Sequence, residues 1–386
     1  MRYESARLSG FSVQSAGNRR GRLDMNFLLL VLLLLVIGVV MVLSASFARA
    51  YYDPGKVTGG NAVYYFVRQM IFACLGFALM LLASRLPMEL YRRWAFPFLA
   101  LVFVLLALVP LIGVKANGSR RWLGVGGLTV QPSELAKLAV ILSFSVLTVR
   151  LRGKMKQFRY GILPFAAILG GIVGLLVLEP HFSASIIILS VGAGMMFLGG
   201  VSIVWFLAAF GIAGSGLAVL LTFFPYASSR INTWRDPFSS SSDEGYQIVQ
   251  SLYSIGSGGL SGLGLGGSRQ KFLYLPEEHN DFIFSVLCEE LGFIGSALVL
   301  LLFALLILRG YWIALHCRDR FSFLVCAGIT TLLALQVFLN VAVVTNLIPC
   351  TGISLPFFSY GGTALLIQLG EMGIILSASR DLLEER

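Results

Sequence analysis

Runs of about twenty apolar residues recur along this chain, and that repetition leaves it few folds. "MNFLLLVLLLLVIGVVMVLSASF" (25–47) and "LGFIGSALVLLLFALLIL" (291–308) are two of them. A helix rises 1.5 Å per residue, so roughly twenty apolar residues cross the ~30 Å of bilayer hydrocarbon. Of the 386 residues, 57% are hydrophobic and only 12% charged. A soluble protein of that length would need a more polar surface. The chain therefore reads as a polytopic membrane protein. Its first apolar run follows Arg19, Arg20 and Arg22. It is too long for the core of a signal peptide and has no clear small-residue cleavage site, so it is expected to remain as the first span.

Ten spans are expected, over 26–48, 64–84, 94–113, 134–150, 161–178, 182–199, 201–223, 282–308, 321–344 and 363–379. The fold class is then all-α: one ten-helix membrane domain over 26–379, with short tails at 1–25 and 380–386. Both tails and alternate connecting segments hold 18 of the 29 lysines and arginines. One short loop alone carries Arg150, Arg152, Lys154, Lys156 and Arg159. Basic loops stay cytoplasmic, so both termini are expected inside and the segments 49–63, 114–133, 224–281 and 345–362 outside. The net charge of +10 thus reflects topology and gives no ground for a nucleic-acid partner. Cys74, Cys288, Cys317, Cys326 and Cys350 form no CxxC pair, so neither a disulfide framework nor a zinc site is implied. The large extracytoplasmic loop 224–281 joins the seventh and eighth spans, and long loops in a compact protein are usually functional. Loops 114–133 and 345–362 are semi-apolar and are expected to re-enter the membrane or lie along it. Irregular backbone there needs protein or a water-filled cavity around it.

"LPEEHNDFIF" (275–284) places Glu277, Glu278, His279 and Asp281 directly before the eighth span, and Glu289 and Glu290 follow within it. On a helix starting near Asp281, Ser285, Cys288 and Glu289 share one stripe, with Glu289 about 12 Å deeper. Glu290 falls on the opposite face, so both faces are expected to meet protein or water. Acids inside a span are paired or functional by default, while Asp281 equally suits a residue complementing the positive end of a helix. In "QPSELAKL" (131–138), Glu134 and Lys137 are i, i+3, with Pro132 at the helix start. They read either as a self-neutralising pair or as an anion-attracting lysine beside an acid. Arg120 and Arg121, next to Trp122, read as an interfacial anchor or as phosphate ligands, for which the planar guanidinium is suited. Glu179 and His181 flank Pro180 in a short outer turn, where a lone histidine is usually structural. Gln336 and Asn340, i, i+4 on the ninth span, face inward, to bond another helix or to serve a site. Glu371 in the tenth span needs a buried partner.

The run "GLGLGG" (262–267) lacks the preceding strand of a nucleotide cradle, so it reads as a flexible loop near a working surface. No HExxH or GxSxG pattern appears. Together these residues describe an outward-facing polar cavity, with acids from the start of the eighth span and bases from the hairpin before the fourth. Such a cavity suits chemistry on, or movement of, a phosphate-bearing lipid.

"RRWLGVGGLTVQPSELAKL" (120–138), "GYQIVQSLYSIGSGGLSGLGLGGSRQKFLYLPEEHNDFIFSVLCEELGFIG" (245–295) and "TNLIPCTGISLPFFSYGGTALL" (345–366) resemble the SEDS family (FtsW/RodA/SpoVE; shape, elongation, division and sporulation). The likeness runs from Asp24 to Arg380. "QKFLYLPE" and "LSASF" look more like the division type (FtsW) and its sporulation relative (SpoVE) than the elongation type (RodA). The resemblance implies ten spans, the large outer loop, and a peptidoglycan glycosyltransferase that polymerises lipid II at the outer face of the bacterial cytoplasmic membrane, for cell division or sporulation. It implies that Asp281 is the catalytic general base on the acceptor GlcNAc 4-hydroxyl, with undecaprenyl pyrophosphate as leaving group. It places Glu134 and Lys137 on the family's QPxELxK motif and Arg120 and Arg121 on its basic hairpin; these four are expected to bind substrate, together with Ser359 and Gly361. Glu277, Glu278 and His279 read as substrate contacts, cation ligands or the loop's own structural cap, and Glu289, Glu290, Gln336 and Asn340 are expected to support the cavity. The chain departs from the family at "EPHFSAS" (179–185), where His181 replaces the usual Asp, and no catalytic role is carried to that turn. No cofactor is evident and no metal ligand set is certain, although a divalent cation, Mg or Mn, would suit the pyrophosphate. The partners implied are a class B penicillin-binding protein, which is a transpeptidase, and other divisome or sporulation membrane proteins. Two rivals stand beside this function: a transporter (flippase) moving lipid II between leaflets, and a non-enzymatic scaffold recruiting the transpeptidase.

Overall fold

The computed structural model describes residues 21–52, 57–116, 119–125, 128–211, 232–239 and 243–382. The apolar runs form helices: α1 (Met25–Tyr52), α2 (Tyr64–Arg85), α3 (Met88–Ile112), α4 (Pro132–Arg150), α5 (Leu163–Leu178) and α6 (Phe182–Leu198). After these come α7 (Asp243–Gly258), α8 (Ile283–Leu315), α9 (Arg320–Val344) and α10 (Gly362–Ala378). Among the described residues, eight helices (α1 to α5 and α8 to α10) are long and apolar enough to cross a membrane, and α6 is a shorter apolar helix. The expected seventh span, 201–223, is helical over 203–211, and the rest of it lies outside the described residues. So do residues 1–20 and 383–386 of the expected tails.

Helix boundaries have local causes. Pro132 occupies the first turn of α4, where a missing N–H breaks no helical bond. Asp319 caps α9 by accepting the Ser322 N–H at 3.0 Å. In α4 and α10, 72% of the apolar window is buried, and in α9 67%, against 28–33% for α2, α3, α5 and α8. The first three therefore form the inner layer, and the others keep an apolar face free for lipid. At one end of the bundle the Asp24 carboxylate, before α1, accepts two bonds from Arg309 of α8 (3.0 and 2.7 Å), and the Asp24 N–H reaches Ser379 after α10. At the other end the C-termini of α1 and α9 meet the N-termini of α2, α4, α8 and α10.

The chain is mostly helical, with one small sheet before α4. Residues 114–130 form a three-stranded antiparallel sheet, β1 (Val114–Ala116), β2 (Ser119–Val125) and β3 (Leu128–Val130), in place of a re-entrant segment. Residue pairs Lys115↔Arg120 and Gly124↔Thr129 set its register. The Thr363 hydroxyl of α10 donates to the Thr129 carbonyl at 2.9 Å, and Arg121 Nη2 donates to the Pro180 carbonyl at 2.6 Å, which ties the sheet to the bundle on two sides. Segment 345–362 does enter the bundle: Phe357 and Phe358 are buried against Phe303 of α8.

Loop 224–281 contains α7, whose buried Ser251 and Ser254 bond the start of α8 and the end of α9. The glycine run is not a flexible loop. Helix α8 breaks at Gly292 (φ 67, ψ −170), and residues 259–264 insert at the break. The carbonyls of Glu289 and Glu290 accept from the N–H groups of Leu263 and Gly264, both at 3.0 Å. The N–H groups of Phe293 and Ile294 donate to the carbonyls of Gly259 and Leu260. Each helical bond lost at the break is thus remade with the loop. Glycine is required because backbone meets backbone: a Cβ on Gly262 (φ +77) would lie 2.2 Å from the Glu290 carbonyl oxygen. Gly262→Ala is therefore expected to cost most of the folded protein, measured as loss of the monodisperse peak and of thermal stability in detergent.

Candidate active site

A polar cavity of about 410 Å³ lies where α2, α4, α6, α9 and α10 meet the sheet and the turns before α8. Asp281, Glu277, Arg121, Glu134, Lys137 and Gln336 line it, so the structure brings together residues separated by more than two hundred positions.

Asp281 precedes α8 by two residues, and its backbone is clamped by its neighbours. Arg49, near the end of α1, bonds the Glu278 carboxylate at 2.8 and 3.2 Å. The Tyr360 N–H donates to the His279 carbonyl (2.9 Å) and the Ser359 hydroxyl to the Asn280 carbonyl (2.8 Å). The Asn340 amide donates to the carbonyls of Asp281 (2.8 Å) and Ile353 (2.7 Å). Four consecutive residues are held by four different groups, yet no described residue hydrogen-bonds the Asp281 carboxylate. Burial pushes its pKa up to about 6, Glu277 adds to the rise, and His279 and Arg121 oppose it. Burial would also raise Glu278, but His279, with Nδ1 3.6 Å away, and the bonds from Arg49 outweigh it and hold that carboxyl below its ordinary value.

Strand geometry separates the two arginines. Side chains alternate along β2, so Arg121 lines the cavity while Arg120 turns away and reaches the carbonyls of Pro110 and Leu111 at 3.3 and 3.4 Å. Arg120 caps the open end of α3 and does not reach the cavity. Glu134 and Lys137 are ion-paired at 2.7 Å, and Lys137 also lies within electrostatic reach of the buried Glu371.

Other expected site residues fall elsewhere. His279 is buried outside the cavity lining, its ring packed on Tyr65 (4.8 Å) and Tyr360 (5.8 Å), so it orders the loop. Ser359 lines the cavity, but its hydroxyl is occupied by Asn280 and by the Leu355 N–H at 2.7 Å. Gly361 lies at the wall, with its N–H 3.4 Å from the Gln69 side chain. Asn340 acts on backbone behind the wall. Glu289 does not share a stripe with Asp281, because α8 begins only at Ile283; its carboxylate is enclosed by Ser254, Ser257 and Ser268. Glu290, the next residue along the helix, pairs with Lys271 at 2.8 Å, and Ser268 bonds both carboxylates, so the two acids do not lie on opposite faces.

The cavity also contains residues that sequence reasoning passed over. Arg68 of α2 lines it; its Nη1 bonds the Tyr64 hydroxyl at 2.8 Å, and no described acid pairs with it. An arginine near the start of an apolar span was the available signal. His181 forms part of the wall, with Nε2 3.4 Å from Gln131 Nε2. Burial, then Arg121 and Lys137, push its pKa down to about 3, so it is neutral. Behind it, Glu179 is buried with neither carboxylate oxygen bonded among the described residues; burial pushes it up to about 7 against the pull of Arg121. Among the described residues no three His, Cys, Asp or Glu side chains converge on one point. The steps proposed below depend on no divalent cation.

A carboxylate with raised pKa, bonded by no described residue and lining the same cavity as Arg121 and Arg68, is equipped to take a proton beside an anionic group. Similarity to known proteins points the same way. Residues 24–383 match the FtsW/RodA/SpoVE family model, described as cell cycle protein. Stage V sporulation protein E of Bacillus subtilis (strain 168) is 40% identical, over 92% of this chain and 97% of its own. A probable peptidoglycan glycosyltransferase FtsW of Geobacter sp. (strain M18) is 38% identical, over 92% and 96%. Among solved structures, a chain of a peptidoglycan synthase complex that coordinates polymerization and crosslinking superposes with a TM-score of 0.76 at 29% identity, covering 94% of this chain and 99% of that one. The crystal structure of the rod shape determining protein RodA of Thermus thermophilus superposes with a TM-score of 0.67 at 28% identity, covering 94% and 98%. Matched over nearly its whole length, the chain belongs to the FtsW/RodA/SpoVE family of cell cycle proteins.

Proposed function

We propose that the chain is a peptidoglycan glycosyltransferase that polymerises lipid II at the outer face of the cytoplasmic membrane, in cell division or sporulation. The observation that carries this is the Asp281 carboxylate, bonded by no described residue, lining one cavity with Arg121 and Arg68. Asp281 takes the proton from the 4-hydroxyl of the acceptor GlcNAc as that oxygen attacks the anomeric carbon of the donor MurNAc. The bond from that carbon to the pyrophosphate oxygen breaks, its electron pair leaves with undecaprenyl pyrophosphate, and the configuration inverts from α to β. Arg121 and Arg68 receive the charge that develops on the pyrophosphate, and Lys137 contributes what its pairing with Glu134 leaves free. The synthase complex among its structural neighbours supports a class B penicillin-binding protein as partner.

Reconstitution of the purified chain with labelled lipid II tests this function. Glycan strands and released undecaprenyl pyrophosphate are expected. Leaflet transfer of intact lipid II without strands would instead establish a transporter, and neither product would leave a scaffold.

The base works only when ionised, so kcat/KM is expected to fall as pH drops through about 6. Glu277 disfavours the Asp281 anion. Glu277→Gln is therefore expected to move this acid limb to lower pH, read from the pH–rate profile; an unmoved or raised limb would contradict the pairing.

A further inference from the structure

The adjacent Glu289 and Glu290 lie outside the cavity and are both fully buried. Glu289 accepts from the hydroxyls of Ser254, Ser257 and Ser268 and from the N–H groups of Arg269 (3.0 Å) and Gln270 (3.4 Å). Glu290 pairs with Lys271 Nζ at 2.8 Å and accepts from Ser44 of α1 at 2.7 Å; the same ammonium lies 3.1 Å from the Ser44 hydroxyl. Two neighbouring carboxylates of α8 thus grip one short segment, Ser268 to Lys271, and Ser268 bonds both of them. From there the chain proceeds by tight turns, with the Leu275 N–H on the Gln270 carbonyl and the Phe282 N–H on the Glu277 carbonyl, into the start of the same helix. Residues 268–290 therefore close into a ring, and Asp281 lies on its arc. Leu273 and Glu277 on that arc hold left-handed backbone (φ 67 and 54), which persists in such residues only where surrounding anchors over-determine it. A buried ion pair is a weak source of stability compared with apolar packing of the same volume, but it fixes geometry.

We propose that Lys271, through its ion pair with Glu290 and its contact with Ser44, is a positioning residue that sets where Asp281 stands relative to Arg121. This inference rests on lipid II polymerisation being the activity. Three variants of the full chain test it: Lys271→Gln, Lys271→Arg, and Lys271→Met combined with Glu290→Met. The double variant replaces both charges by apolar side chains, which buried pairs generally tolerate in folding. It is expected to fold and to lose at least tenfold in kcat, with KM for lipid II within about twofold of the parent. Its acid limb should also shift, because Asp281 moves relative to Glu277, His279 and Arg121, the groups that act on it. Lys271→Arg keeps the charge and is expected to retain kcat within about threefold, whereas Lys271→Gln should lose tenfold or more. Hydrogen exchange at residues 277–282 gives a readout independent of turnover, expected to quicken at least tenfold in Lys271→Gln. Parental kcat, pH profile and exchange in a folded double variant, or in Lys271→Gln if the double variant does not fold, would overturn the proposal. So would a lowered yield of folded protein with unchanged turnover per folded molecule. A parent chain that makes no glycan refutes the polymerase function itself, before any variant is compared.

Discussion

Purified Asp281→Asn protein is expected to bind lipid II as the parent does and to polymerise it about 10²–10⁴-fold more slowly, the range a positioned general base contributes. Asparagine has nearly the same shape and cannot take the proton. The fold should be indifferent to the change, because Asn340, Ser359 and Tyr360 hold the backbone of this turn and no described residue bonds the carboxylate. Thermal stability equal to or above the parent's is expected, since a half-buried carboxylate near Glu277 costs free energy. The measurement is single-turnover strand formation beside lipid II binding on the same preparation. Loss of binding together with loss of turnover would make Asp281 a substrate ligand instead of a base.

Arg121→Ala is expected to lower kcat roughly 10²–10³-fold, as removal of one preorganised charge-stabilising donor does. Arg121 is fixed by its bond to Pro180 and faces the cavity, so its guanidinium is aimed before substrate arrives. Lysine at this position should recover little, because an ammonium lacks the planar fork. Without Arg121 the Asp281 anion also loses a favourable neighbour, so the acid limb should move to higher pH, opposite to Glu277→Gln. Arg120→Ala provides the contrast: its side chain caps α3 outside the cavity, and kcat within about twofold of the parent is expected. Equal losses in the two variants would mean that the strand register misassigns the arginines.

The membrane helices were legible because an apolar run of twenty residues has little else it can do in lipid. The Glu134–Lys137 pair was legible for a related reason, since helical spacing places side chains without knowledge of the rest of the fold. Glu289 was misplaced by the same rule: the helix was extended back to Asp281, but it begins at Ile283. Arg120 and Arg121 could not be told apart without strand register, and the sheet itself is too short to announce itself among glycines. Helix α7 was hidden because its inner face carries Ser251 and Ser254, polar residues that bury by bonding α8 and α9. The glycine run resembled a loose loop because its partner, the break at Gly292, is about thirty residues away in sequence. Arg68 offered one local signal, an arginine near the start of an apolar span, but that it and His181 line the cavity follows from how α2 and α6 pack.

The most direct test is strand synthesis from labelled lipid II in vesicles, with the parent chain and Asp281→Asn side by side at matched protein and pH above 6. Glycan strands from the parent and none from the variant, with lipid II bound by both, is the predicted result. Parental strand yield from Asp281→Asn would contradict it.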